Sequence, residues 1–295
     1  MELSKSLLDS KIAIVIPTLN RHERLLTLLN TLDNQDLSPS LVIVVDASEE
    51  DRKYPHTSFK LVPIHSTKKS AAQQRNMGLD WLSKEAKYID ICLFIDDDVV
   101  LERSYIRRVS SLLLESQAIG VSGIAVGKSE SFTKNSFFFN LLGITGSPGS
   151  VTKAAINIPV RNIEEPLEAE WLIGCSAWKY PVISDLRFQR DFEGQSIFED
   201  VLFSIEASKR GELIVDSRIR FRHDLDDSGR PDRRNYFAQW ISNRYRLRQI
   251  DRAKFSLFRY LLANLAFGLK TILIERDISA FLGVIEGHLR LVRKR

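Results

Sequence analysis

Short apolar runs rich in β-branched residues alternate with segments of helical periodicity through the first two-thirds of this 295-residue chain. Each run is short, as strands buried on both faces tend to be. Such an alternation is typical of a mostly parallel sheet covered by helices. We therefore predict an α/β fold with a mostly parallel, twisted sheet flanked by helices. The predicted strands are Ile12–Ile16, Leu41–Val45, Phe59–Ile64, Ile91–Ile95 and Ala118–Val126, and the predicted helices are Glu23–Leu32, Ala71–Leu82 and Arg103–Leu114.

The pattern changes after the last of these strands. Lys128–Pro166 is rich in glycine and proline and is interpreted as an irregular segment that serves as a substrate loop. We predict that the whole chain forms two units, a catalytic domain over residues 1–224 and a helical extension over residues 225–295. Further elements predicted in the first unit are the strand Glu170–Tyr180, the helix Phe198–Lys209, and the short strands Leu213–Val215 and Ile219–Arg222.

Three adjacent carboxylates, Asp96-Asp97-Asp98, directly follow the predicted strand Ile91–Ile95. In open α/β sheets, ligands bind beyond the carboxyl ends of the strands. Neighbouring carboxylates repel each other, and a hard cation such as Mg²⁺ or Mn²⁺ offsets that cost while binding substrate phosphates. The alternative is a solvated acidic loop at the N-terminus of the helix that follows.

An ordered set of motifs around this triplet resembles the family 2 glycosyltransferases, which have the GT-A fold. Each motif is weak alone, but together they span roughly Ile12 to His223. The motifs are Ile14–Arg21 (IVIPTLNR), Asp46 after the second strand, Gln74–Gly78 (QRNMG), the triplet, Arg187-Phe188, Phe192-Glu193-Gly194, Phe198–Val201 (FEDV) and His223.

The resemblance implies a role for each matching position. Asp98 is implied as the principal metal ligand, Asp96 as a ligand of the metal or the ribose, and His223 as the residue that completes the metal site. Asp46 is implied to accept a hydrogen bond from the base, typically uracil. The other implied nucleotide-sugar contacts are Pro17, Thr18, Asn20, Arg21, Arg75 and Asp97. Structural alternatives are that Asp46 caps a turn, that Arg75 is a solvated charge and that His223 is not a ligand.

Asp200 matches the position of the family's general base. A sugar hydroxyl is a poor nucleophile, so a carboxylate within hydrogen-bond reach removes its proton as the glycosidic bond forms. The cation stabilises charge on the departing diphosphate, and backside attack inverts the anomeric centre. The alternative for Glu199 and Asp200 is that the helix dipole favours acids in a first turn.

Two departures from the family pattern bear on the substrate. Phe188-Gln189-Arg190-Asp191 stands where the family often has a Phe-Asp-Glu segment, so the family's sugar contacts are not carried over to this segment. The Gln-x-x-Arg-Trp element of processive members is missing, because Gln239-Trp240 is followed by Ile241. The missing element favours transfer of a single sugar. What the resemblance implies beyond this is a UDP- or dTDP-linked donor and a glycan or lipid-linked acceptor, in surface polysaccharide synthesis.

The C-terminal region is basic and aromatic. From Arg230 onward there are 15 Lys/Arg and 5 Asp/Glu, a net charge of +10, against −6 for the rest of the chain. Phe255–Ile274 predicts a helix whose apolar stripe docks on anionic lipid, although Arg259 and Lys270 disfavour a membrane span. The alternatives are a helical subdomain whose stripe packs on the core or a second subunit, as in a homodimer, and a grip on single-stranded nucleic acid, which we do not expect. The stripe is Phe255, Phe258, Leu261, Leu262, Leu265, Leu269, Ile272 and Leu273.

Other readings of function compete with this one. A sugar nucleotidyltransferase would need a glycine-rich phosphate loop after the first strand, and Pro17–Arg21 contains no glycine. A non-catalytic peripheral membrane protein with a degenerate site is disfavoured by the intact Asp96, Asp98 and Asp200. Cys92 and Cys175 are interpreted as buried thiols in a reducing compartment, and residues 1–10 show no secretory signal. We expect a cytoplasmic protein, peripheral on the inner face of the plasma membrane.

Overall fold

The structure, a computed structural model, describes residues 5–49, 53–126, 144–161, 163–192, 196–223 and 232–293. Within these ranges the chain forms nine strands and nine helices, plus a 3₁₀ turn at Ser208–Arg210. The strands are β1 Ile12–Thr18, β2 Leu41–Asp46, β3 Lys60–His65, β4 Ile91–Phe94, β5 Val99–Leu101, β6 Gly120–Val126, β7 Leu167–Ala169, β8 Ser176–Lys179 and β9 Leu213–His223. The helices are α1 Lys5–Asp9, α2 His22–Asp33, α3 Ala71–Glu85, α4 Tyr105–Glu115, α5 Tyr180–Ile183, α6 Glu199–Ala207, α7 Arg233–Ile250, α8 Leu257–Leu273 and α9 Ile278–Arg293.

All nine strands belong to one sheet with the order β3-β2-β1-β4-β8-β6-β9-β5, and β7 pairs with β9. The first four strands are parallel, and β6 is parallel to β9. The remaining pairs are antiparallel. The predicted α/β class, a mostly parallel sheet flanked by helices with helices at the C-terminus, is confirmed.

Side-chain alternation along β1 separates two cores. Ile12, Ile14 and Ile16 face the core that holds the buried leucines of α2 and the apolar side of α4. Ala13 and Val15 face the core that holds α3 and α6. Every residue of β1 is buried, which explains why its sequence is a continuous apolar run and does not alternate.

The first strand extends beyond its predicted end at Ile16. Pro17 lies opposite Val45 of β2 and remains in the strand. The Val15 carbonyl accepts a hydrogen bond from Ile95, so odd-numbered residues of β1 direct their backbone groups toward β4. The pairing with β4 ends at Val15. The missing N–H of Pro17 therefore falls where there is no ladder to complete.

Three other predictions about strands were wrong in detail. Glu170–Tyr180 is not one strand, because only its end forms β8. The two short strands predicted after the late helix are a single strand, β9, since Asp216 interrupts the apolar pattern but bonds locally to the Arg218 N–H. The short β5 was not predicted.

The described part of Lys128–Pro166 contains no helix or strand and has one isolated bridge between Val151 and Asn157, as the predicted irregularity requires. Residues 128–143 lie outside the described residues. The predicted apolar stripe packs against the core only in part: Phe255 is buried in the main core and Leu262 packs on a smaller cluster, whereas Phe258, Leu261, Leu265, Leu269 and Leu273 are exposed. The face of α8 that packs inward carries Tyr260, Ala263 and Phe267.

Candidate active site

The carboxyl ends of β1, β2 and β4 form the floor of the site. Thr18 and Asp46, the last residues of β1 and β2, lie opposite each other in register. Gln74 on α3 ties these ends together, since its side-chain amide donates to the Thr18 carbonyl at 2.7 Å and to the Val45 carbonyl at 2.6 Å. Polar side chains therefore converge beyond the carboxyl ends of these strands, where ligands bind in open α/β sheets.

The middle aspartate of the triplet is held by protein groups. Asp97 accepts a hydrogen bond from the Thr18 hydroxyl at 2.7 Å and one from the Arg21 guanidinium at 3.1 Å. Burial raises the pKa of Asp97 to about 6, against the opposing effect of Arg21. This carboxylate fixes the start of the loop after β1, and its predicted contact with the sugar donor stays a prediction.

The other two aspartates face His223. Pairing of β5 with β9 places His223 opposite Val99, beside Asp98, and the His223 Nε2 lies 2.7 Å from Asp98 Oδ1. Ligand atoms of Asp96, Asp98 and His223 all lie within 4.8 Å of one another. Around one cation with ligands at about 2.1 Å, ligand atoms lie roughly 3 to 4.2 Å apart, so this set fits a divalent ion with little adjustment.

Charges around Asp98 keep it ionised. Burial alone would raise its pKa, but the hydrogen bond and charge of His223 and the charge of Arg21 outweigh burial, so the pKa lies below the ordinary value. Arg21 donates to Asp98 Oδ2 at 3.1 Å. A carboxylate that stays charged while buried is suited to a metal ligand.

The alternative of a solvated acidic loop does not fit this geometry. The strand β5 separates the triplet from α4, which begins at Tyr105 with Ser104 at its N-cap position. Asp97 and Asp98 are 5% and 7% exposed. Carboxylates that are buried beyond the end of a strand and away from a helix terminus need hydrogen-bonding or charged partners. Those present are Thr18, Arg21 and His223.

Arg75 connects the triplet to the late helix. Its side chain is 3% exposed, and its guanidinium bonds to both Asp96 and Glu199. The same group lies 5.5 Å from the ring centre of Phe188. Arg75 is therefore a buried cation shared by two carboxylates, which excludes the solvated-charge alternative, while contact with a nucleotide stays a prediction.

The predicted base lies in the first turn of α6. Phe198, at the N-cap, has φ +81°, a left-handed conformation that costs a bulky residue about 1–3 kcal/mol. Ser196 also has a positive φ, and its hydroxyl lies 3.1 Å from the Ser70 hydroxyl and accepts from the Ala72 N–H. The backbone is thus forced to present Glu199 and Asp200 where α6 begins, a location of strain that is typical of functional sites.

Burial raises the pKa of both acids of this pair. For Glu199 the charge of Arg75 opposes burial, and the charge of Asp200 adds to it. For Asp200, burial is opposed first by a hydrogen bond from the Val201 N–H, at 2.8 Å. Asp200 lines a small cavity together with Arg75 and Gly174. A carboxylate with a raised pKa at a cavity is suited to accept a proton.

The predicted base-recognition residue is held in a turn. Asp46 accepts hydrogen bonds from the Ser48 N–H at 2.8 Å and the Tyr54 hydroxyl at 3.2 Å. The Ser48 hydroxyl accepts from the N–H of Asn20, which has φ +56°. Asp46 therefore does stabilise a turn, and its contact with a base stays a prediction.

Some residues of the site were not recognised individually in the sequence. Gly78 packs against Val15 so closely that an added Cβ would lie 2.4 Å from a methyl group of that valine. Asn76 bonds to both the N–H and the carbonyl of Phe188 at 2.8 Å. A Cβ at Gly174 would lie 2.8 Å from Asp96 Oδ2. The motif QRNMG contained the first two signals, but only the fold shows what each residue contacts. Glu193 and Gly194 lie outside the described residues.

Part of the chain matches a known protein family. Residues 13–153 match the model described as Glycosyl transferase family 2. Glycosyltransferase GlyA of Streptococcus pneumoniae serotype 4 is 25% identical over 195 residues, which cover 62% of this chain and 26% of that protein.

Solved structures show the same fold. S. aureus TarS 1-349 in complex with UDP-GlcNAc has a TM-score of 0.55 at 16% identity, over 90% of this chain and 74% of that one. Mannosyltransferase PcManGT from Pyrobaculum calidifontis, in complex with GDP-Man and Mn²⁺, has a TM-score of 0.56 at 13% identity, over 98% and 89%. A longer TarS chain is covered over 44% of its length, so this chain spans a part of the first relatives it matches. Residues 13–153 therefore form a glycosyltransferase family 2 domain, and the chain shares the GT-A-type fold of these solved structures.

Proposed function

We propose that this chain transfers a single sugar, with inversion, from a nucleoside diphosphate sugar, UDP- or dTDP-linked, to a hydroxyl of a glycan or lipid-linked acceptor in surface polysaccharide synthesis. Residues 1–224 would hold the catalytic domain and residues 225–295 the basic helical extension. A cytoplasmic location stays part of the proposal. The observation that carries it is the meeting of Asp96, Asp98 and His223 within 4.8 Å, with Arg75 joining Asp96 to the acidic pair on α6.

The donor side is argued from the ends of β1 and β4. Asp96, Asp98 and His223 would hold a divalent cation, which when bound neutralises charge developing on the diphosphate leaving group. His223 supplies a nitrogen ligand, which Mg²⁺ accepts less readily than Mn²⁺ does, so we expect Mn²⁺ to be preferred. PcManGT was solved with GDP-Man and Mn²⁺, and TarS with UDP-GlcNAc. These neighbours support a nucleotide-sugar donor and leave the base open.

The acceptor side is argued from α6. Asp200 would take the proton from the attacking hydroxyl, since this residue lines the small cavity together with Gly174 and Arg75. Arg75 positions the acids by bonding to Glu199 and Asp96, so the base and the metal ligands are fixed relative to each other. We assign Arg75 as a positioning residue.

A ligand panel tests the proposal directly. Thermal unfolding is measured with UDP-, dTDP- and GDP-sugars, each with and without Mn²⁺. A ligand that binds only the native state raises the midpoint, and we expect the rise to need both nucleotide and metal. Asp98→Ala should abolish the joint rise. Asp200→Asn should retain the rise but lose transfer. If Asp98→Ala and Asp200→Asn both kept wild-type transfer, the assignment of these residues would be wrong.

A further inference from the structure

The outer face of α8 is apolar and exposed. Phe258, Leu261, Leu265, Leu269 and Leu273 follow one another every three or four residues and are 46–74% exposed. The opposite face of the helix is the one that packs inward. A helix that is apolar all round is normally buried on all sides, so this stripe lacks the solvent-facing polarity expected of a surface helix.

The outer face of α9 has the same character. Ile278, Leu282, Ile285, Leu289 and Val292 follow helical spacing and are 41–71% exposed. The inner face is pressed against α7. A Cβ at Gly283 would lie 2.3 Å from the Arg234 carbonyl oxygen, and one at Gly287 would lie 2.6 Å from Ile241. The helix therefore cannot rotate to bury its exposed stripe without losing this close packing.

Contacts between the two helices place both stripes on one side. A Cβ at Gly268 of α8 would contact Phe281 and Val284 of α9 at 3.6 Å, and Asn264 lies 3.2 Å from His288. Lower numbers in α8 thus meet higher numbers in α9, so the helices are antiparallel. At about 100° per residue, each stripe is offset by roughly a quarter turn from the residues that contact the other helix, and the rotational sense of the offset is the same in both helices. In an antiparallel pair these quarter turns lead to the same side, so α8 and α9 share one outer apolar face, here called the hairpin face.

The charges around the hairpin face are complementary to an anionic surface. Residues 252–295 contain nine Lys/Arg and three Asp/Glu, a net charge of +6. Each of the three acids is already paired with a cation: Glu275 with Arg233 and Lys270, Asp277 with Arg233, and Glu286 with Arg234 and Arg290. A second copy of the chain would bring like charges together across this face, which disfavours it as the partner.

A basic pocket lies where the end of α7 meets the start of α8 and the end of α9. It has a volume of about 440 Å³, and its lining includes Arg248 and Arg252, the ion pair of Arg246 with Asp191, Leu257 at the start of α8 and Leu291 near the end of α9. Cationic side chains next to exposed aliphatic ones match a lipid, which has a phosphate headgroup above apolar chains.

We propose that the hairpin face lies in the interface of an anionic phospholipid membrane, with the basic pocket on phosphate headgroups. Within the described residues no helix is long and apolar enough to cross a bilayer. The face therefore binds the surface of the membrane, through apolar side chains and basic charge together. Ten large apolar side chains gathered on one face, unlike single exposed ones, are typical of such an interaction site.

Flotation of the full chain with vesicles tests the proposal. Vesicles of phosphatidylcholine, with and without phosphatidylglycerol, are mixed with wild type, with Leu265→Gln/Leu282→Gln and with the matched control Leu8→Gln, whose leucine is 57% exposed on α1. We expect wild type and control to float with the anionic vesicles. The double variant should partition about tenfold or more weakly, because two apolar side chains lose their burial in lipid.

Two further measurements test the contribution of charge to vesicle binding and the alternative that a second copy of the chain covers the hairpin face. Arg248→Gln/Arg252→Gln should weaken binding to anionic vesicles and reduce its dependence on salt. Absence of wild-type protein from the floated fraction would overturn the proposal. So would light scattering that shows a dimer in solution which Leu265→Gln/Leu282→Gln converts to a monomer, because the face would then be covered by a second copy. The inference goes beyond the proposed reaction and does not depend on it, since Asp200→Asn protein must float like wild type.

Discussion

Arg75 offers the sharpest test of how the site is held together. Replacing it with methionine keeps the apolar stem and removes a buried guanidinium bonded to Asp96 and Glu199. Stripping one partner from a buried ion pair costs about 3–5 kcal/mol. The Asp96 side chain is 29% exposed, so water can solvate it, and most of the cost falls on Glu199, at 8% exposed. We therefore expect Arg75→Met to lower the free energy of unfolding by about 3 kcal/mol, near the low end of that range.

The expected loss depends on pH. Burial raises the pKa of Glu199, so the folded state holds that proton more tightly than the unfolded chain does. The stability contributed by a raised carboxyl pKa is complete below the unfolded pKa and is lost as pH rises toward the folded pKa. Without Arg75 the pKa of Glu199 rises further, so at neutral pH the buried acid must either carry an unpaired charge or take up a proton, whereas in acid it is neutral with or without Arg75. The difference between Arg75→Met and wild type should therefore shrink as pH falls.

Urea unfolding followed by tryptophan fluorescence measures both effects, in a double-mutant cycle with Glu199→Gln. Glutamine keeps the acceptor oxygen and cannot carry charge. Arg75→Met/Glu199→Gln should recover about 1 kcal/mol or more relative to Arg75→Met alone, since no charge is left stranded. A loss below about 1 kcal/mol for Arg75→Met, or a double variant no more stable than the single one, would refute the reasoning.

Four further predictions follow from the geometry. His223→Asn should weaken Mn²⁺ binding by about tenfold or more in calorimetric titrations with UDP, and unchanged affinity would exclude this ligand. Gly174→Ala should lower Mn²⁺ affinity with little change in the melting temperature, because its Cβ would displace Asp96; unchanged affinity would contradict that contact. Arg244→Met leaves three buried oxygen acceptors without a donor and should cost about 3 kcal/mol or more in urea unfolding, and a loss under about 1 kcal/mol would contradict this. Because burial raises the pKa of Asp200, the acid limb of kcat at saturating metal should lie above about pH 4, the range of an exposed aspartate, and a limb at or below it would count against Asp200 as the base.

The central strands were predictable because their environment is written into their composition. A strand buried on both faces is apolar along its length: β4 is apolar throughout, and β1 and β2 are apolar up to their last residues, Thr18 and Asp46. The late strand β9 was predicted in two pieces because Asp216 and Ser217 break that pattern. Both are buried, and their side chains find local partners, Asp216 in Arg218 and Ser217 in the backbone of Ile163. The spacing of apolar residues in the sequence does not show which buried polar side chains find hydrogen-bond partners in the folded chain.

The site was predictable in part for a related reason. Asp96 and Asp98 are adjacent in the chain to a recognisable strand, so their place at the sheet edge followed from the fold class. His223 reaches Asp98 across 125 positions only because β5 pairs antiparallel with β9, and β5 is too short to be recognised. The bond between Arg75 and Glu199 spans 124 positions and depends on how α3 and α6 pack. The family resemblance identified the candidate site residues, but the contacts that hold them in place could be seen only in the structure.

Helix α7 also contacts residues on both sides of the turn that leads into α6, and this limits what a C-terminal truncation can show. Asn243 on α7 donates to the Ile197 carbonyl at 2.8 Å, next to the left-handed Phe198 that begins the turn of Asp200. Arg246 on the same helix bonds to Asp191, and its guanidinium lies 4.6 Å from the ring centre of Phe192. A strained backbone persists only where its surroundings over-determine it, and α7 supplies contacts on both sides of this loop. Removing residues after 234 would therefore release the strain at the base as well as the hairpin face. Loss of activity in such a truncation would say nothing about membranes, whereas substitutions on the outer side of α8 and α9 leave α7 in place.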